Sequence, residues 1–140
     1  KSFFDLLDLA RQPVCVSHAN VDPVHPHRRN LTAEQIRLVA AIGGTVGLTF
    51  YPPFIGTGAI GSSDLIPHLE ALLEFGGMDC PALGSDFDGI DATPTDLADV
   101  TGLPLFLQGL AAAGFGRELV GKVAGGNFFG FLKNKLATTN

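Results

Sequence analysis

The chain has 140 residues, enough for one core-forming domain, and is 46% hydrophobic and 16% charged with a net charge of −5. That balance argues against a nucleic-acid surface, because phosphate binding needs clustered Lys and Arg, and the densest basic stretch is the short His25-Pro26-His27-Arg28-Arg29. No apolar run approaches the roughly 20 residues of a membrane span, and the two cysteines, Cys15 and Cys80, read as free thiols of a reducing, cytoplasmic compartment rather than a disulfide framework.

In chain order, Ser2 and Asp5 form a capping pair for a first helix over Phe3 to Arg11, stopped by Pro13. A short strand through Val16 delivers Ser17-His18, and the loop from Asn20 to Asn30 carries Pro23, Pro26 and the basic side chains. Thr32 and Gln35 make a capping box for a second helix with Ile36, Val39 and Ala40 on one face, ended by Gly43-Gly44. The β-branched and aromatic run Thr45 to Tyr51 predicts a second strand, halted at Pro52-Pro53. Ser63 caps a third helix bearing Leu65, Ile66, Leu69, Leu72 and Leu73, closed by Gly76-Gly77. A third strand runs from Pro81 to about Asp86, and an acidic loop then leads to Gly102. Helices over Leu103 to Ala113, Arg117 to Ala124 and Phe128 to Leu136 complete the chain, the last one capped by Asn127.

Strands alternating with helices predict a parallel α/β sheet, in which residues at the carboxyl ends of the strands gather on one face. His18, Tyr51 and Asp86 all fall there. Three strands leave two exposed edges, and a (β/α)8 barrel takes about 250 residues. The expected fold is therefore the carboxyl-terminal half of a TIM-type barrel of the metal-dependent hydrolase kind: one partial domain over residues 1–140, with three parallel strands and covering helices.

Each candidate residue has a chemical reading and a structural one. A neutral imidazole on a rigid strand tip such as His18 suits a metal, and a histidine there suits a cap or a bond to a neighbouring loop equally well. Arg29 offers the planar fork that grips a carboxylate through two parallel hydrogen bonds, although loop arginines are often merely solvated. Asp86 can take a proton or hold an ammonium, and Asp88-Gly89 also fits an Asx turn. The Asp-x-Asp-Gly spacing is not a calcium loop, because its terminal Glu is missing. His25 and His27, split by Pro26, are assigned to a solvated loop, and His68 beside Pro67 to a helix surface without functional weight. Gly56-Thr57-Gly58 and Gly125-Gly126 match no phosphate-binding fingerprint.

Four motifs occur in order: Ser17-His18-Ala19-Asn20, Arg28-Arg29-Asn30-Leu31-Thr32, Phe50-Tyr51-Pro52-Pro53-Phe54 and Gly84-Ser85-Asp86-Phe87-Asp88-Gly89, followed by Gly126-Asn127-Phe128. Together they resemble the membrane (renal) dipeptidase family of zinc metallopeptidases, particularly its bacterial members, over essentially the whole chain. The resemblance implies a (β/α)8 barrel with two zinc ions at the strand tips, hydrolysing dipeptides to free amino acids. It implies that His18 is a zinc ligand and that Arg29 grips the substrate carboxylate. It further implies that Asp86 is the catalytic carboxylate of the last strand, and that Tyr51 and Phe54 line the substrate pocket, Phe54 standing where some relatives have tyrosine. The family's His-x-Asp pair, bridging glutamate, first zinc-binding histidine and substrate-polarising histidine have no counterpart here. The expected partners are a dipeptide and a missing amino-terminal half or a second copy of the chain, and the chain alone is expected to be inactive. A non-catalytic half-barrel module and another metal-dependent amidohydrolase are the rival readings.

Overall fold

Alternation of short strands with helices is what the computed structural model shows, and it describes residues 2–10 and 12–137. Helix α1 (Ser2–Leu9) precedes strand β1 (Cys15–Val16); the expected last residue of that helix, Arg11, lies outside the described residues. Helix α2 (Ala33–Ala41), strand β2 (Thr45–Leu48), the one-turn helix α3 (Pro52–Ile55), helix α4 (Ile66–Gly76) and strand β3 (Pro81–Leu83) follow. Helices α5 (Leu103–Ala112), α6 (Arg117–Gly121) and α7 (Asn127–Ala137) close the chain, with a kinked turn, Lys122–Gly126, joining the last two.

The sheet is three-stranded in the order β1-β2-β3. Both pairings are parallel, with Cys15 opposite Thr45 and Val46 opposite Pro81. All four residues of β2 are buried, as the central strand of a covered parallel sheet requires. Ile36 and Val39 of α2 and Leu69 and Leu72 of α4 meet the sheet in one apolar core, which Phe50, Leu65, Leu97, Phe106, Leu110 and Val123 complete. This is an open segment of a (β/α)8 barrel, as its sequence predicts.

Local rules account for several boundaries. The Thr32–Gln35 capping box forms in both directions, with Gln35 N–H donating to Thr32 Oγ1 and Thr32 N–H to Gln35 Oε1. Gly77 closes α4 at φ +73°, the left-handed cap that glycine adopts without a Cβ clash.

Other expectations need correction. Strand β2 stops at Leu48 rather than Tyr51 because the Asn20 side chain takes both backbone groups of Thr49 in place of a neighbouring strand: Thr49 N–H donates to Oδ1 at 3.2 Å and Nδ2 donates to Thr49 O at 3.0 Å. Pro52 and Pro53, expected only to halt that strand, open α3, where a missing N–H costs nothing. Strand β3 ends at Leu83, and Asp86 beyond it takes φ +63°.

The entry to α4 is built by Gly61, Ser62 and Asp64 rather than by a Ser63 cap. Gly61 N–H donates to Asp64 Oδ2, while Ser62 donates through N–H and hydroxyl to the Asp96 carboxylate. Those two bonds hold the Asp96 carboxyl below the usual range, Ser62 being the largest cause. They also anchor the acidic loop, together with the fully buried Leu97. Asn127 has helical backbone angles, φ −66° and ψ −46°, and is the first residue of α7 rather than its N-cap. Its amide donates to Met78 O and Pro81 O at 2.8 Å each, tying the start of α7 to β3.

Candidate active site

His18 lies two residues beyond β1, where its Nδ1 is 2.8 Å from the Ser17 hydroxyl. Its Nε2 faces Arg29 Nη2 at 3.4 Å and Asp86 Oδ2 at 3.9 Å. A guanidinium only donates, so the first contact calls for a lone pair on Nε2, with the ring proton on Nδ1 directed to Ser17. That is the tautomer that presents Nε2 to a metal.

Arg29 extends from the loop after β1. Its guanidinium carbon lies 5.9 Å from the centre of the Phe54 ring, and its backbone N–H donates to His27 Nδ1 at 3.2 Å. Among the described residues no carboxylate pairs with this guanidinium. Tyr51 stands edge-on to Phe54 with ring centres 4.9 Å apart. The Asp91 carboxylate beside Tyr51 raises the phenol pKa by opposing the negative phenolate, with burial and a hydrogen bond to Asp91 adding to the shift. His18, Arg29, Tyr51, Phe54 and Asp86 thus line one cleft of about 440 Å³, with Gly89, Ile90 and Asp91 from the turn after Asp86.

Two histidines are not where the sequence reading puts them. His27 does not stand in solvent: it is half-buried and stacks on Phe54 with ring centres 4.4 Å apart, behind Arg29. His68 is not on a helix surface but fully buried, with one ring nitrogen accepting from Val21 N–H and the other bonded to Ile55 O. Pro67 beside it misleads, because proline in the first turn of a helix says nothing about which face its neighbour takes. Asp91 had no signal beyond its place in an acidic loop.

Stable zinc sites use three or four protein ligands. Among the described residues no group of three His, Cys, Asp or Glu side chains is placed to hold a metal. His18 and Asp86 alone do not make such a site; they are at most one corner of it.

With this geometry in place, the comparisons with known proteins converge. Residues 1–139 match the membrane dipeptidase family, peptidase family M19. The chain belongs to that family. A metallo peptidase from Rhodobacter sphaeroides, solved with a phosphinate mimic of the dipeptide L-Ala-D-Ala, is 34% identical and superposes with a TM-score of 0.90 over 95% of this chain and 39% of its own. An uncharacterized protein encoded in the pqqA 5′ region of Klebsiella pneumoniae is 36% identical over 96% of this chain and 51% of its own length. An uncharacterized dipeptidase of Schizosaccharomyces pombe is 32% identical over 74% of this chain and 26% of its own length. The chain therefore spans about half the length, or less, of these relatives.

Proposed function

We propose that this chain forms the substrate-carboxylate side of a zinc-dependent dipeptidase site, as part of a longer polypeptide. The carrying observation is the cleft in which an arginine with no carboxylate partner among the described residues faces the His18 imidazole at 3.4 Å, with Asp86 Oδ2 3.9 Å from the same nitrogen. A dipeptide presents a carboxylate at one end and an ammonium at the other. Arg29 offers the fork for the first. Asp86 offers a negative group for the ammonium, or for a proton released during hydrolysis. The Tyr51 and Phe54 rings line the same cleft, Phe54 beside Arg29. Holding the dipeptide by its carboxylate fixes its peptide carbonyl relative to Asp86 and His18, the positioning component of catalysis. Family membership supports peptide-bond hydrolysis, and the dipeptide mimic held by the R. sphaeroides relative supports the substrate class. Zinc enters the reading from the family, as the metal that His18 would face.

Arginine substitutions in the full-length protein carrying this chain provide the test. Hydrogen bonds to charged groups are worth about 1.5 to 3 kcal/mol each, so Arg29→Ala lowers kcat/KM for dipeptides by at least about tenfold. Arg29→Lys is also impaired, because a point charge does not reproduce the fork. Arg28→Ala stays within about twofold of wild type, since truncating a residue outside the cleft removes no transition-state contact. The reverse pattern would move the carboxylate grip to Arg28, and full activity in all three variants would remove it from this loop.

A further inference from the structure

Outside the cleft, three buried polar side chains tie together the two segments that line it. His68 on α4 is fully buried. Val21 N–H donates to its Nδ1 at 3.1 Å, and its Nε2 lies 2.9 Å from Ile55 O. An amide only donates and a carbonyl only accepts, so the ring is neutral with its proton on Nε2. One bond ends on the loop that carries Arg29, and the other on the short helix α3 that carries Phe54.

Asn30, the neighbour of Arg29, repeats the connection. Its amide donates to His25 O and Phe54 O at 2.8 Å each, while its Oδ1 accepts Asn20 N–H at 3.2 Å. Asn20 in turn holds Thr49, two residues before Tyr51. The ends of the Arg29 loop are closed on each other, since Leu31 N–H donates to Asn20 O and Asp22 N–H to Leu31 O, both at 2.9 Å. The loop is thus closed on itself, and its hydrogen-bonded attachments to α3 are Asn30 and, through Val21, His68, beside the ring contact of His27 with Phe54.

We propose that His68 is a positioning residue. Acting with Asn30, it fixes the Arg29 loop against the Tyr51–Phe54 turn and so sets the spacing of the cleft end that receives a substrate carboxylate. The inference rests on the dipeptidase reading above. A residue that only filled space would not need both ring nitrogens, and an aliphatic side chain here would leave Val21 N–H and Ile55 O buried without partners. Burial also pushes the imidazole pKa down, outweighing its bond to Ile55, which keeps Nδ1 an acceptor at neutral pH.

Two substitutions separate the arms in the full-length protein carrying this chain. His68→Asn keeps an acceptor near the Nδ1 position and loses the donor to Ile55; His68→Gln keeps a donor near Nε2 and loses the acceptor for Val21. Hydrogen exchange is expected to rise in residues 51–56 for the first and in residues 20–31 for the second. With L-alanyl-L-alanine, KM rises about tenfold in both, the scale of one displaced hydrogen bond to a charged group, while kcat stays within about threefold. The preference for this dipeptide over L-alanyl-L-alaninamide falls by the same factor. Asn30→Ala cuts the same link from its other end and is expected to erode the same preference, which keeps the inference testable if the His68 variants do not fold. Exchange that rises throughout the chain in both His68 variants, or an unchanged preference for the dipeptide over its amide in every variant, would overturn the positioning role. A wild-type protein that treats dipeptide and amide alike would instead bring down the dipeptidase reading, and the exchange patterns would then decide the role of His68 alone.

Discussion

Asp86 holds φ +63° without being glycine. Aspartate and asparagine tolerate that region better than other residues, and backbone held there is found where a side chain must be aimed. Gly89 completes the turn: its N–H donates to Asp86 O at 2.9 Å, and a Cβ in its place would meet the Asp86 carboxylate. Asp86→Asn is therefore expected to keep its fold and its unfolding free energy, measured by urea titration, within about 0.5 kcal/mol of wild type, a surface-scale change. Under the proposed function the same variant loses most dipeptide hydrolysis. Circular dichroism and a coupled amino-acid assay on one preparation separate the two effects; a variant with normal activity would remove Asp86 from the chemistry.

His68 gives the residue scale a pH signature. Its pKa in the fold lies below its ordinary value of 6.5, first through burial, with His25 lowering it further. The folded state thus binds fewer protons than the unfolded chain in the window below 6.5. The stability contributed by the neutral ring is fully present above that pH and is lost as pH falls from 6.5 toward the folded pKa. Urea midpoints at pH 7.5 and 5.5 are expected to fall more steeply in wild type than in His68→Gln. Equal slopes would contradict a neutral buried imidazole.

At the scale of elements, the three strand tips meet on two glycines. A Cβ at Gly47 of β2 or at Gly84 after β3 would each run into the Ser17 carbonyl oxygen, on the peptide unit that leads into His18. The His18 segment therefore lies across both strand ends, closer than any side chain permits. Gly84→Ala is expected to destabilise the protein by about 1 to 3 kcal/mol, the usual cost of overpacking, and to displace His18 from Asp86. A urea midpoint unchanged from wild type would show that the tips have room to separate.

The same elements show what a sequence reading reaches. The Thr32–Gln35 box and the Gly77 cap are legible because their partners lie within a turn of each other. The burial of His68, the end of β2 at Leu48 and the Asp96 tie to Ser62 are not, because each depends on a residue 20 or more positions away. The cleft divides the same way. Its five expected residues came from local motifs in chain order, whereas His27 and Asp91 emerge only when the Arg29 loop, α3 and the turn after Asp86 are brought together.

On the scale of the whole molecule, β1 pairs only with β2, so its other edge keeps backbone groups without a strand partner among the described residues. Beside that edge an apolar groove of about 890 Å³ runs between α1 and the stretch leading into β1, reaching Phe131 of α7. Leu6 and Leu9 on α1 and Phe129 on α7 are at least half exposed, Leu9 at 81%. No helix among the described residues is long and apolar enough to cross a membrane. An unpaired edge beside an apolar patch of this kind is a pairing surface. In a (β/α)8 barrel the neighbouring strand and helix cover it, and the relatives that this chain matches are about twice its length or longer. The 140 residues alone are therefore expected to self-associate at micromolar concentration and to bind an apolar dye. Sedimentation equilibrium measures the first, and both effects should disappear when the chain is joined to a segment supplying the remaining strands. Leu6→Glu combined with Leu9→Glu should shift the equilibrium toward monomer without unfolding the core, since both side chains lie outside it. A monomer at all concentrations, with no dye bound, would mean that the β1 edge and the α1 groove need no partner, and that three strands suffice for a self-contained α/β domain.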